Sequence, residues 1–261
     1  MGFIHNTFSD VYAHKDNWLT RIDVRVKLFY LATMLTVNLF ARNIYISAFF
    51  LLFSLTLLLT VKIPALTILR SILLPLSLAF LMLIVKGLHE GEKEIFGFSV
   101  FGYNLIFKEE GLRSGLLICG KVLGGVSLVV LFAFTTTISR LSAGLQWIHV
   151  PNTLIELLAF IYRYIFLLLD EVSAMRNAQR SRLGYITFTK RVRSIGLLAG
   201  ALIIRAFDRA ERTHEAMYAR GYNGETALTL HLNPLSKKEY FLFAGIAFMA
   251  PLHLYAGNIL L

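Results

Sequence analysis

LIELLAFIYRYIFLLL, residues 154–169, is apolar enough to pass for a membrane crossing, and the residues after it decide the fold. If the run crossed, the next segment would emerge on the far side of the membrane. That segment carries Arg176, Arg180, Arg182, Lys190, Arg191 and Arg193 with no acid between them, the densest basic block in the chain. Loops rich in Lys and Arg stay in the cytoplasm. The run is therefore expected to lie along the cytoplasmic side without crossing. From residue 176 to 220 there are ten basic and three acidic residues, so +7 of the net +10 sits in this stretch.

Residues 153–183 read as one long helix opened by Pro151-Asn152, with Asn152 as N-cap. Leu154, Leu157, Leu158, Ile161, Ile165, Leu168, Val172 and Met175 recur at spacings of three and four, while Glu156, Arg163 and Asp170 recur every seven and form a polar face. A second amphipathic helix is expected from about Ile195 to Arg220. Both end alike, in Arg182-Leu183-Gly184-Tyr185 and in Ala219-Arg220-Gly221-Tyr222. Each presents an arginine just before a glycine suited to a C′ cap. Charge compensation of the helix dipole explains one such arginine. Two of them, on two long helices, suit a dimeric partner that offers two equivalent sockets lined by carboxylates.

Outward from this region the chain is a membrane protein. It has 261 residues, 56% hydrophobic and only 16% charged, with a mean hydropathy of +0.64; a soluble domain is about a quarter charged. Apolar runs at Leu28–Phe40, Ile44–Val61, Ile72–Val85, Leu116–Ile138 and Tyr240–Tyr255 give about five transmembrane helices. Pro64 and Pro75 are read as the start and first turn of the third. The expected architecture is an all-α polytopic membrane protein with long amphipathic cytoplasmic helices. Its parts are a cytoplasmic segment 1–27, membrane helices over 28–138, a cytoplasmic region 139–236 and a C-terminal membrane helix 237–261. An external loop at 86–111, with Gly87, Gly91, Gly97 and Gly102 among alternating Phe and Tyr, predicts a short β-hairpin. The N-terminus is placed in the cytoplasm and the protein in the plasma (inner) membrane.

Several chemistries are excluded or weakened. Cys119 is the single cysteine, so no intrachain disulfide forms. Residues 1–27 hold no apolar core of a signal peptide. Gly120-Lys121 is followed by Val122-Leu123, without the glycine and Ser/Thr of a phosphate loop, so the chain is not expected to hydrolyse ATP by itself. The seven histidines (His5, His14, His89, His149, His214, His231 and His253) lack metal-ligand spacing, and neither a metal site nor a cofactor is expected. Dispersed acids, with Asp170-Glu171 as an adjacent pair near a membrane surface, argue against an Mg²⁺-dependent lipid enzyme. The positive charge marks orientation and is not read as a nucleic-acid signal. A self-sufficient carrier remains as an alternative, with Lys121 among Gly120, Gly124 and Gly125 as its ionisable group. Gly111, Gly115, Gly120, Gly124 and Gly125 predict close helix packing, against this chain or another subunit.

Three stretches carry a family resemblance: Ser9-Asp10-Val11-Tyr12-Ala13 with Arg21-Ile22-Asp23-Val24-Arg25-Val26-Lys27-Leu28, then Val150-Pro151 with Tyr162-Arg163-Tyr164, and Arg205-Ala206 through Ala216-Met217-Tyr218-Ala219-Arg220-Gly221-Tyr222. From about residue 9 to 225 the chain resembles the transmembrane T component of energy-coupling-factor (ECF) transporters, and within it the cobalt-type CbiQ family. The resemblance implies a non-catalytic subunit that joins two ABC-type ATPases to a substrate-binding membrane subunit, here CbiM-like, within the lipid bilayer. It implies cobalt as substrate, with nickel or a vitamin as alternatives. It also implies that Ala219-Arg220-Gly221 and Ser181-Arg182-Leu183 dock in grooves of the ATPases. The first of these motifs along the chain departs from Ala-Arg-Gly at two of three positions, and Val24 stands where the family usually has proline.

Overall fold

The computed structural model describes residues 17–61, 63–89, 91, 94–100, 103–222 and 234–259, with side chains except at 94–100, 103–107, 250 and 252–259. Residues 9–13 of the N-terminal motif, His5, His14, His231 and the Phe101-Gly102 pair lie outside them. The described elements are α1 (Val24–Phe40), α2 (Ile44–Thr60), α3 (Ala65–His89), β1 (Glu94–Val100), β2 (Tyr103–Lys108), α4 (Glu109–Thr135), α5 (Ile138–Trp147), α6 (Asn152–Ser181), α7 (Phe188–Ala219) and α8 (Lys237–Ile259). They fall into two compact units, one holding α1–α4, the hairpin and α8, the other α5–α7.

In the first unit, Asp23 caps α1 by accepting the Arg25 backbone N–H at 2.8 Å. Val24 then occupies the first helical position, whose N–H has no partner within the helix. Proline is favoured at that position but not required, and Val24 is buried there. Glu239 of α8 accepts the Asp23 N–H at 3.3 Å, and Phe243 meets Phe29 at 5.2 Å. These contacts hold α8 against α1.

α4 lies against α1, α2 and α3. Its small residues permit this: a Cβ added at Gly115 would sit 3.1 Å from Leu83 Cα, at Gly120 3.0 Å from Ile44 Cγ1, and at Gly124 2.8 Å from Ser47 O. The glycine stripe thus serves packing within this chain. Leu58, Val61, Ile68, Leu131 and Phe134 fill one core cluster, and Met34, Val37, Phe50 and Leu128 another.

Two lysines tie α1 and α4 reciprocally. Lys27 Nζ of α1 donates to Thr135 O at the end of α4 at 2.7 Å, and Lys121 Nζ of α4 donates to Leu39 O at the end of α1 at 2.9 Å. Each satisfies a terminal carbonyl that has no helical partner, with the cation at the negative end of the helix dipole. Lys121, the residue a carrier would use, is a helix cap. Beside it Ser47 Oγ donates to Asn38 Oδ1 and Asn38 Nδ2 donates to Lys121 O, both at 2.8 Å.

α3 and α4, of 25 and 27 residues, have the length and apolarity to span a bilayer. α1 and α2 have 17 residues each, about 26 Å at the helical rise, slightly under the ~30 Å hydrocarbon core. Pro75 lies well inside α3 rather than in its first turn. Pro64 O accepts from Thr67 and Ile68, so the helix starts at Ala65, two turns before the apolar run that signalled it. The predicted hairpin forms, with Val100 paired to Tyr103 and an irregularity between Glu94 and Phe96.

In the second unit, α5 was not anticipated from the sequence. α6 opens at Asn152 with Pro151 as its N-cap and no side-chain cap, so Asn152 is the first helical residue and not the cap. α7 begins at Phe188, two turns before the expected Ile195, because Thr187 O accepts the Arg191 N–H at 2.9 Å. Lys190, Arg191 and Arg193 are therefore helical. By length and apolarity alone α6 also qualifies as a span.

Candidate functional site

α6 and α7 run antiparallel, and a ladder of side chains records it. Tyr222 Oη donates to Glu156 at 3.4 Å, Tyr164 Oη and Thr213 Oγ1 share a hydrogen bond of 2.7 Å, Arg209 meets Glu171 at 3.6 Å, and Gln179 Nε2 donates to Ser194 O at 2.9 Å. These pairs join each end of one helix to the opposite end of the other. Sequence reasoning missed them, since partners 15 to 66 positions apart leave no periodic signal.

Both helices end in the same turn. In α6 the Gly184 N–H bonds to Gln179 O at 2.9 Å and the Leu183 N–H to Arg180 O at 3.0 Å. In α7 the Tyr222 N–H bonds to Met217 O at 3.0 Å and the Gly221 N–H to Tyr218 O at 2.9 Å. Both are Schellman motifs, with Arg182 and Arg220 at the C-cap. α5 closes likewise, through Val150 N to Leu145 O and His149 N to Gln146 O.

The residue after each arginine is left-handed: φ is 58° at Leu183 and 84° at Gly221. Leucine there costs about 1 kcal/mol that glycine does not. Side chains around the first turn hold it in place. Ser194 Oγ donates to Gly184 O at 2.9 Å, and Tyr185 Oη donates to Gln179 Oε1 at 2.7 Å. Gly184 is needed for space, since a Cβ would lie 2.6 Å from Ser194 Oγ; Gly221 meets nothing within 4 Å and is needed for its φ alone. In the first turn the left-handed residue is thus Leu183, and the expected glycine stands one position later.

Ser181, Arg182, Leu183, Ala219, Arg220 and Gly221 are all exposed. Ser181 Oγ bonds back to Asn177 O. Arg182 and Arg220 have no side-chain partner among the described residues. The polar face expected of Glu156, Arg163 and Asp170 is divided. Glu156 is 5% exposed, turned toward Tyr222, whereas Arg163 and Asp170 are exposed. Leu154, Leu157, Ile161 and Ile165 of the apolar stripe are also exposed, because no described residue of the unit covers them.

Two clefts open between α6 and α7. One, of about 430 Å³, is lined by Arg163, Tyr164, Arg209, Arg212 and Arg220 among others. The other, of about 830 Å³, lies toward the Leu183 end with Arg176, Arg180 and Arg191. Among the described residues no three His, Cys, Asp or Glu side chains gather as metal ligands.

Several helices long and apolar enough to span a bilayer, in one chain, define a multi-pass membrane protein. The chain belongs to the CbiQ family: the family model described as cobalt transport protein matches residues 15–230. It is 32% identical to an uncharacterized protein of Methanocaldococcus jannaschii, over 94% of this chain and 91% of that one. It is 33% identical to a putative fused cobalt transport protein CbiMQ of Methanocorpusculum labreanum, over 65% of this chain but only 28% of the fused protein. It is also 28% identical to the energy-coupling factor transporter transmembrane protein EcfT of Listeria innocua, over 82% and 83%.

Proposed function

We propose that this chain is the non-catalytic coupling subunit of an ECF-type importer, carrying motion from two cytoplasmic ABC-type ATPases to a substrate-binding membrane subunit. The observation that carries the reading is the pair of exposed arginines, Arg182 and Arg220, on two matching turns, neither with a side-chain partner among the described residues. Guanidinium forks at rigid helix ends suit insertion into carboxylate-lined grooves. Cobalt is the substrate favoured by the family description and by the relatives' names. The fused CbiMQ supports a CbiM-like partner. α6 is read as lying on the cytoplasmic side, as the basic block after it requires, and the N-terminus as cytoplasmic. The exposed stripe of α6 is then left for lipid or for the substrate subunit.

The test is co-expression with candidate ABC-type ATPases. Arg220→Glu is expected to abolish co-purification and Arg182→Glu to reduce it, with membrane insertion intact in both. Normal assembly of the double variant would remove the reading. Uptake by the chain alone in liposomes would restore the carrier, which the capping role of Lys121 already disfavours.

A further inference from the structure

Arg220 is part of the wall of the smaller cleft between α6 and α7, so a partner seated on Arg220 abuts that cleft. Four guanidiniums line that cleft, from Arg163, Arg209, Arg212 and Arg220, and among the described residues no carboxylate does. Arg209 is already paired, 3.6 Å from Glu171. Arg212 donates only to a backbone oxygen, Asp208 O at 3.1 Å. Arg163 and Arg220 have no side-chain partner among the described residues. The wall between them is stiff: the Tyr164 ring stacks on Phe160, with centroids 6.5 Å apart and planes at 15°, and its hydroxyl is held by Thr213.

Three unpaired cations facing one cleft are tolerable in water, where counter-ions screen them. A partner that extends from Arg220 over the cleft removes that water. Cations buried without anions are far costlier than the contact that buries them is favourable. The partner must therefore bring negative charge.

We propose that this cleft is a carboxylate-receiving site: the partner that seats Arg220 inserts an acidic segment whose Asp or Glu side chains, at least two, pair with Arg163 and Arg212. The inference rests on the reading that Arg220 docks an ATPase, and it assigns that ATPase an acidic docking segment. It also gives Arg163 a partner outside this chain. An anionic phospholipid headgroup is the competing occupant. It is disfavoured because the cleft wall is continuous with the docking end.

The experiment measures assembly of the full-length chain with a co-expressed candidate ATPase pair in detergent, across a range of salt. It compares wild type, Arg163→Gln/Arg212→Gln, Arg163→Lys/Arg212→Lys and Arg220→Glu, with native mass spectrometry for retained lipid. The glutamine pair is expected to weaken assembly at least tenfold at low salt and to flatten its salt dependence, the lysine pair to recover most of the loss, and Arg220→Glu to give no complex. Because glutamine removes repulsion without leaving a cavity, the unfolding temperature of the chain should not fall. Wild-type assembly and salt dependence in the glutamine pair, with Arg220→Glu still inactive, would overturn the cleft alone. Normal assembly of Arg220→Glu would overturn the docking reading and the cleft with it. Phosphatidylglycerol or cardiolipin retained by wild type and lost from the glutamine pair, with assembly unchanged, would overturn it in favour of the lipid.

Discussion

Arg182 and Arg220 hold the same position in two matching turns, yet stand at opposite ends of one antiparallel hairpin. Ser194 holds Gly184 beside the first arginine, and from Ser194 to Arg220 α7 rises about 40 Å at 1.5 Å per residue. Two partners docked on these ends would be held apart by a braced rod. Their relative motion would be felt along the ladder that joins α6 to α7.

The first turn should respond oppositely to two neighbouring substitutions. Leu183→Gly removes a left-handed leucine that is 60% exposed, so the unfolding temperature should rise, by an equivalent of about 1 kcal/mol. Gly184→Ala forces a Cβ to within 2.6 Å of Ser194 Oγ and 2.9 Å of the Gln179 backbone oxygen and should destabilise by about 1–3 kcal/mol. Thermal unfolding in detergent checks both.

Glycines of α4 and α7 should likewise diverge. Gly124→Val drives a side chain into Ser47 O, 2.8 Å from the added Cβ, and is expected to cost at least about 2 kcal/mol. At Gly200 a Cβ meets nothing within 4 Å, so Gly200→Ala should stabilise by roughly 0.5–1 kcal/mol through helix propensity. Equal behaviour of the two variants in a melting series would contradict the packing described for α4.

Lys121→Met deletes the cap on Leu39 O. It should lower stability by about 1–2 kcal/mol while uptake by the assembled transporter persists. Loss of uptake with unchanged assembly and melting would point instead to a transport role for the amine.

Tyr164 and Thr213 join the two long helices through one hydrogen bond of 2.7 Å. A double-mutant cycle of Tyr164→Phe and Thr213→Val should give a coupling energy of about 1 kcal/mol, read from unfolding of the purified chain. Additive effects would show that the hydroxyls do not interact.

Much of this was readable before any coordinates. The runs that predicted α1, α2, α4 and α8 lie within about two turns of the observed helices, because long apolar runs in a bilayer must satisfy their own backbone and so permit little else. Glycines among alternating aromatics between α3 and α4 foretold the hairpin. Boundaries were less legible. α7 starts among Lys190, Arg191 and Arg193, where no apolar periodicity exists to reveal a helix, and Asn152 looked like a cap although the Pro151 carbonyl already serves the first turn.

The sequence by itself determined the membrane class, the family and the two arginines, because composition, hydropathy and short motifs are local properties of the chain. Tertiary structure alone decided that Glu156 faces Tyr222 and is buried, that Lys27 and Lys121 cap each other's helices, and that a leucine can take the place of glycine after Arg182. Each depends on groups from different turns or helices meeting at hydrogen-bond distance. No window along the chain contains both partners, and only the folded backbone brings them together.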